Sequence, residues 1–161
     1  APPGATLHAP SGETMQLWQA AERYARDGHS TVIVAGERYG TGSSRDWAAK
    51  GAALLGARAV IAQSFERIHR QNLIGMGVLP LRLPEGAKLE LETGDRIEID
   101  ATAETLAPRG PVEVTIIRRN GNSDKLQAIA AVETAVEIDV LKKGGAIQNI
   151  LANMNRPRLP A

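Results

Sequence analysis

The distribution of apolar and polar residues divides the chain into two halves with different patterns. In the first half, short continuous apolar runs alternate with segments whose apolar residues recur at helical spacing. The apolar runs are residues 31–35, 59–62 and 78–83, and the helical segments are 14–27, 46–55 and a third that Ser64 is placed to cap. Continuous apolar runs of this length are typical of strands buried in a parallel sheet, so this half predicts βαβ units.

The second half is instead rich in predicted strands. These cover residues 96–100, 112–119 and 126–132, and Asn120-Gly121 is a strong signal for a hairpin turn between the last two. Thr134 and Glu137 have capping-box spacing, which predicts a short helix ending at Gly144, and an amphipathic helix is predicted over 146–154. We therefore predict one α/β domain over residues 1–161, with a mainly parallel sheet, a β-rich second half, a core at about 14–154 and flexible ends.

The composition excludes several classes of protein. The apolar fraction of 43% is ordinary for a globular domain, and 19 basic residues against 18 acidic ones give a net charge of +1. This balance disfavours a nucleic-acid partner and a membrane surface. No apolar run is long enough to span a bilayer and no signal-peptide pattern is present, so we expect a soluble, cytoplasmic protein.

The residue types also disfavour a metal centre in this chain. It contains 0 cysteines, which excludes disulfides and thiolate-held clusters for the chain alone. Its 3 histidines, His8, His29 and His69, lack metal-ligand spacing, so no metal site is predicted. The chain begins with Ala1 in a loose Ala-Pro-Pro-Gly segment. From this we expect an excised or processed fragment, although a trimmed tag would leave the same residues.

Residues 36–45, GERYGTGSSR, form a Gly-rich loop between a predicted buried strand and a predicted helix. That position is the carboxyl end of a strand, where open α/β sheets bind ligands. Gly40 and Gly42 would let the backbone turn sharply and bring its N–H groups close to a ligand. The loop is therefore a candidate binding site.

Three polar residues at the end of this loop indicate what it binds. Ser43 and Ser44 lie at the predicted helix N-terminus, where unpaired N–H groups and the helix dipole favour an anion, and Arg45 adds a planar fork suited to a carboxylate or phosphate. The spacing is not that of a dinucleotide-binding or a Walker loop. An ordinary tight turn with a serine cap is the alternative. A serine nucleophile or base would need activation, and no histidine is close in sequence to supply it.

Two long motifs resemble one known family. Residues 39–51, YGTGSSRDWAAKG, are similar to the signature of the C-terminal, or swivel, domain of the aconitase family. Residues 59–81, AVIAQSFERIHRQNLIGMGVLPL, resemble the second conserved block of that domain. With looser matches at 14–27 and near the end, the resemblance covers about residues 10 to 155. It implies a three-layer β/β/α swivelling domain.

The resemblance also implies an activity and a role for each polar residue of the loop. The family isomerises citrate and isocitrate of the tricarboxylic acid cycle through cis-aconitate, as a hydro-lyase with a four-iron four-sulfur cluster whose open iron is a Lewis acid. By resemblance, Ser43 is the catalytic base, Ser44 and Arg45 bind substrate carboxyl groups, and Gly40 and Gly42 support the loop. Positive potential at a helix N-terminus beside an arginine would stabilise a serine alkoxide.

Other parts of such a site are absent from this chain. By resemblance, the three cluster cysteines, the histidine–carboxylate pairs and a further substrate arginine belong to preceding domains, and this chain has 0 cysteines. We therefore expect no cofactor bound by this chain itself. The chain alone should be inactive and should need the remaining aconitase domains, in cis or as a large subunit.

A non-enzyme hypothesis rests on the helix that contains His69. Its neighbours Arg67 and Arg70 suggest phosphate or RNA contact, and some aconitase relatives bind RNA in a cluster-free state. The favoured interpretation is that Phe65 and Ile68 pack on the sheet while the basic face meets solvent or a neighbouring domain.

Two further enzyme hypotheses concern the substrate. The small subunit of a two-chain isopropylmalate isomerase has a similar domain, although those subunits tend to carry a Glu-His continuation where this chain has Asp46-Trp47. A 2-methylcitrate dehydratase domain is suggested by Met15 and Trp18 at the first helix. The sequence leaves the choice of tricarboxylate open.

Overall fold

The computed structural model describes residues 2–42, 44–102 and 104–146. The helix predicted over 146–154 lies outside the described residues from position 147 onward. The elements are β1 (Ala5–His8), β2 (Glu13–Gln16), α1 (Leu17–Arg26), β3 (Thr31–Val34), α2 (Arg45–Leu54), β4 (Ala57–Ala62), α3 (Arg67–Gly75), β5 (Leu79–Arg82), β6 (Arg96–Asp100), β7 (Pro111–Ile117), β8 (Ser123–Ala130) and α4 (Ala135–Lys142). No helix in these ranges has the length and apolar character needed to cross a membrane.

A six-stranded sheet in the order β3-β4-β5-β8-β7-β6 carries the fold, and β1 pairs with β2 in a separate hairpin. The α/β class is confirmed. The three strands of the first half are parallel, as the apolar runs predicted. The sheet as a whole is mixed, because the β-rich second half joins it through antiparallel pairs, beginning at β5 and β8. Asn120-Gly121 does form the β7–β8 turn, with Gly121 at a φ of 87°.

Two predicted helix starts are wrong, each because a tertiary contact takes the residues concerned. The first helix begins at Leu17 rather than at 14, since Glu13–Gln16 pairs as a strand with β1. The third helix begins after Glu66, whose side chain accepts a hydrogen bond from the His69 N–H. Ser64 is not its cap, because the Ser64 Oγ instead accepts from the Arg38 N–H at 2.7 Å.

Strand β4, next to the edge strand β3, contributes to a buried cluster on each face of the sheet. Alternate residues of a strand point to opposite faces, and accordingly Val60 and Ile61 belong to different clusters. The Val60 cluster includes Ala49 and Ala52 of α2, so the helix that follows the Gly-rich loop is packed on the parallel strands. The Ile61 cluster takes in α4 through Ile138. This packing fixes the position of α2 relative to the ends of β3 and β4.

An ion pair inside the fold joins α3 to α4. Arg70, predicted to face solvent or a neighbouring domain, instead has a side chain only 9% exposed and contacts Glu137, 20% exposed, at 3.1 Å. Arg70 also donates to the Ala131 carbonyl at 2.9 Å. Burial alone would raise the pKa of Glu137, but hydrogen bonds from Arg70 and from the Glu133 N–H hold it below its ordinary value. Removing one partner would leave the other charge buried without compensation.

We expect Glu137→Gln to lower the free energy of unfolding by about 1.5–3 kcal/mol at neutral pH, the range for hydrogen bonds to charged groups. A carboxyl with a lowered folded-state pKa stabilises the fold above its unfolded-state pKa and loses that contribution as pH falls through the folded-state value. The difference between the variant and the parent should therefore shrink on acidification, as measured by chemical denaturation over a pH series. The exposed pair of Glu113 and Lys125 provides a control, and Glu113→Gln should change stability by less than about 1 kcal/mol. Equal losses in the two variants at every pH would contradict the prediction.

Candidate functional site

The Gly-rich loop follows the carboxyl end of β3, as the sequence predicted, and it lies where β3 and β4 end side by side. The two segments that follow the strands remain hydrogen-bonded to each other along their length. The bonds run from Ala35 N–H to Ile61 O at 2.9 Å, Gln63 N–H to Gly36 O at 3.1 Å, Tyr39 N–H to Ser64 O at 2.9 Å and Glu66 N–H to Tyr39 O at 2.9 Å. A parallel bridge between Tyr39 and Phe65 belongs to the same ladder. The first part of the loop is therefore held by backbone hydrogen bonds.

Gly40 marks a close approach between the loop and α3. Its φ is 92°, and a Cβ at this position would lie 2.1 Å from Cγ of His69. The imidazole thus packs directly on the Gly40 backbone, and Tyr39 meets the same ring edge-on at 5.1 Å. Burial raises the pKa of Tyr39 above its ordinary value. The close approach at Gly40 is to His69, and the predicted approach of its backbone to a ligand stays a prediction.

Gly42 has no such constraint. A Cβ there would meet nothing within 4 Å, and its φ lies outside the left-handed region. The residue is exposed, between Gly40 and the start of α2. The two glycines, which looked equivalent in the sequence, therefore differ in what the fold requires of them.

The serines stand at the start of α2. Ser44 is its N-cap residue, exposed, with a φ of −93°, and its side chain makes no capping hydrogen bond. The backbone carbonyl of Ser44 accepts from the Ala48 N–H at 2.9 Å. The simple serine-cap interpretation therefore does not apply to Ser44. Ser43 lies outside the described residues.

Arg45 is the first residue of α2, and both its guanidinium and its backbone carbonyl make contacts. Its guanidinium Nη1 lies 3.3 Å from Oε1 of Glu66, and its Nε donates weakly to the Gly42 carbonyl at 3.4 Å. Its backbone carbonyl lies 3.0 Å from Nδ1 of His69. The Arg45 side chain is 34% exposed and that of Glu66 19% exposed. The guanidinium is thus anchored on one side and accessible to solvent.

The charges around the loop are of both signs. Asp46 lies in the first turn of α2, where a carboxylate interacts favourably with the helix dipole. Trp47 is 69% exposed, and Lys50 lies 4.8 Å above its ring. An anionic ligand at Arg45 would therefore approach a site that already contains the carboxylate of Glu66.

Sequence reasoning did not find the two residues that hold Arg45. Glu66 and His69 come from α3, and His69 is completely buried, whereas Ile68, predicted to pack on the sheet, is 39% exposed. The signal that could have identified Glu66 is its position three residues before His69, which is the spacing of a capping side chain and its N–H partner. Nothing local links either residue to Arg45.

The donor set of the chain does not fit an iron–sulfur cluster. Such clusters are held by cysteine thiolates, and the chain has none. Across residues 2–42, 44–102 and 104–146, no group of three or more His, Cys, Asp or Glu side chains is arranged to hold a metal ion. If a cluster takes part in the activity, its ligands belong to other polypeptide segments.

Residues 2–86 match the family model of the aconitase C-terminal domain. The chain is 48% identical over 155 residues to aconitate hydratase A of Legionella pneumophila, and 47% identical over 154 residues to that of Pseudomonas aeruginosa. Each alignment covers 94% of the chain and only 17% of the relative. The chain therefore spans about a sixth of the length of these enzymes.

Among solved structures, the chain is similar to a 3-isopropylmalate dehydratase from Methanocaldococcus jannaschii. The TM-score is 0.50 at 23% sequence identity, covering 90% of the chain and 83% of the dehydratase. At this identity the likeness concerns the fold alone. The arrangement of mixed sheet and helices is thus shared with a protein of nearly the same size.

Proposed function

The chain belongs to the aconitase C-terminal domain family, and from this premise we propose that it forms one wall of the active site of an aconitate hydratase. In this role it binds the tricarboxylate during the interconversion of citrate and isocitrate through cis-aconitate. The observation that carries the proposal is Arg45: a partly exposed guanidinium, anchored at the N-terminus of α2, in a loop at the carboxyl ends of two parallel strands.

The loop offers three kinds of contact to a carboxylate. The first N–H groups of a helix have no partner within the helix, and the helix dipole favours a negative charge at that end. The hydroxyl of Ser44 is not used for capping the helix. The Arg45 guanidinium adds charge-assisted hydrogen bonds with planar geometry. Together these features support binding of a carboxyl group by Ser44 and Arg45, in the loop that Gly40 shapes.

We assign the removal of the substrate proton to Ser43. It is the residue between Gly42 and the N-cap Ser44, and we propose that its oxygen removes the proton from the substrate carbon next to a carboxylate. A serine can act in this way only if its alkoxide is stabilised. A helix N-terminus and a neighbouring arginine supply positive potential at that position.

The remaining requirements of the reaction lie outside the chain. The four-iron four-sulfur cluster of the complete enzyme is assigned to the remaining aconitase domains, in cis or as a large subunit, since the donor set here does not fit it. We propose that the chain by itself has no hydratase activity. The alternatives of a 2-methylcitrate dehydratase domain and an isopropylmalate isomerase small subunit place the same loop in the same role with a different acid.

Arg45→Lys in the complete enzyme tests the binding role. Lysine keeps the positive charge and loses the planar pair of donors, so KM for citrate should rise by about 10- to 100-fold, the equivalent of one hydrogen bond to a charged group. The initial-rate series should use citrate, isocitrate, 2-methylcitrate and isopropylmalate in parallel, because the acid with the highest kcat/KM identifies the substrate among the alternatives.

Arg58→Lys is the matched control. Arg58 is an exposed arginine near the start of β4, at the opposite end of the strand from the loop, and its replacement should leave KM within about twofold. An unchanged KM in Arg45→Lys, with the iron–sulfur content of the enzyme intact, would contradict the assignment of Arg45 to substrate binding.

A further inference from the structure

His69 is a buried polar residue that contacts the Gly-rich loop at Tyr39, Gly40 and Arg45. Its exposure is 0%, and Nδ1 lies 3.0 Å from the Arg45 carbonyl oxygen. A carbonyl oxygen can only accept, so Nδ1 carries the proton and donates. Nε2 is buried and has no hydrogen-bond partner among the described residues.

Glu66 completes a clamp around Arg45. Its Oε2 accepts from the His69 N–H at 2.9 Å, which fixes the carboxylate at the start of α3. Its Oε1 faces the Arg45 guanidinium at 3.3 Å. One turn of α3 therefore holds Arg45 twice, at the backbone carbonyl through His69 and at the guanidinium through Glu66. The His69 ring also touches the Gly40 backbone, so the position of the ring sets both ends of the segment 40–45.

We propose that His69 is a positioning residue that orients Arg45 and the first turn of α2 for a substrate carboxylate. This inference rests on the proposed function and adds to it a residue 24 positions away in sequence. A guanidinium recognises a carboxylate best through two parallel hydrogen bonds, which require a fixed orientation of its plane. Without the imidazole, the backbone at Arg45 loses its anchor and Arg45 must be ordered when the ligand binds, which weakens binding.

Two variants of the complete enzyme separate hydrogen bonding from packing. His69→Leu removes the N–H, whereas His69→Asn places an amide N–H close to the position of Nδ1. Binding of tricarballylate, a tricarboxylate that cannot be dehydrated, is measured by titration calorimetry. We expect His69→Leu to weaken binding by about tenfold, as for the loss of one hydrogen bond, and His69→Asn to bind within about threefold of the parent.

His8 provides a matched structural control. It is also buried, at 4% exposure, its Nδ1 is hydrogen-bonded to Ser11 Oγ at 2.8 Å, and its Nε2 is unpartnered among the described residues. It lies in the β1–β2 hairpin, outside the ladder that holds the loop. His8→Leu should change stability as His69→Leu does, while tricarballylate binding stays at the parent value.

The outcomes distinguish a failure of the positioning role of His69 from a failure of the proposed function. Unchanged binding in His69→Leu, a loss equal to that in His8→Leu, or no rescue by His69→Asn in a folded protein would each overturn the positioning role. If Arg45→Lys also binds tricarballylate as the parent does, the proposed function itself fails. Should His69→Leu not fold, His69→Gln takes its place, because the longer amide reaches the position of Nε2 rather than that of Nδ1. Parent-like binding by His69→Gln would then overturn the proposal.

Discussion

Replacing Gly40 by alanine should destabilise the domain and disable the loop together. A Cβ at this position would lie 2.1 Å from Cγ and 2.3 Å from Cβ of His69, far inside contact distance, and the backbone φ of 92° is itself unfavourable for alanine. Either His69 leaves its pocket or the loop lifts away from α3. We expect a loss of about 3 kcal/mol in the free energy of unfolding, from the combined strain and overpacking.

The effect on activity should be larger than the effect on stability. Displacement of the loop by about 1 Å would move Arg45 and the serines away from the substrate, and misplacement of that size can cost about 100-fold in rate. The measurement is kcat/KM for citrate in the complete enzyme, together with chemical denaturation of parent and variant. Both quantities are needed, because a stability loss alone would not show that the loop has moved.

Gly42→Ala is the control that the chain itself offers. It lies two residues further along the same loop, where a Cβ would meet nothing within 4 Å and the φ is not left-handed. We expect a change in stability of less than about 1 kcal/mol and kcat/KM within about threefold of the parent. Equal effects of the two substitutions would mean that the contact between Gly40 and His69 does not set the loop geometry.

The pair of glycines illustrates how much of this fold could be predicted from local pattern. The buried strands were predictable because a short continuous apolar run such as 59–62 is typical of a strand in a sheet interior. The β7–β8 hairpin was predictable because Asn-Gly favours the required backbone conformation. Each of these signals consists of a few neighbouring residues, so it can be recognised without knowledge of the rest of the chain.

The errors share one physical cause, which is competition from partners outside the segment that carries the local signal. Ser64 has the chemistry of a helix cap, yet the Arg38 N–H takes its hydroxyl and Glu66 caps α3 instead. Residues 13–16 fit a helix start, yet they pair with β1. In each case the local preference is worth about 1 kcal/mol, which a single tertiary hydrogen bond or a strand pairing can exceed.

In the candidate site too, features within one short segment could be predicted from the sequence, and contacts between segments could not. The loop, its glycines and its likeness to a family signature could be recognised from sequence. The clamp could not, because Glu66 and His69 face Arg45 only when α3 packs beside α2 in one register. Arg70 was wrongly predicted to face solvent or a neighbouring domain for a similar reason: its partner Glu137 is 67 residues away, in α4. Charge counts alone cannot tell a buried pair from an exposed basic face.

Ser43→Ala in the complete enzyme should abolish most turnover while leaving ligand binding in place. Alanine has no oxygen to accept the proton from the substrate carbon, and loss of a general base typically reduces rates by about 100- to 10,000-fold. The fold should tolerate the change, since serine and alanine differ by one oxygen atom and the neighbouring Ser44 is exposed. We therefore expect a low kcat, an unchanged iron–sulfur content and a Kd for tricarballylate within about threefold of the parent.

Ser44→Ala distinguishes the base from its neighbour. Ser44 is assigned to binding, so its loss should raise KM by about tenfold or less, the range for one hydrogen bond, with a smaller change in kcat. If Ser43→Ala retains the turnover of the parent, Ser43 is not the base, and the proton must be removed by a group outside this loop. If instead Ser44→Ala shows the large loss in kcat, the two roles are exchanged, and the helix N-terminus activates its own cap residue rather than the residue before it.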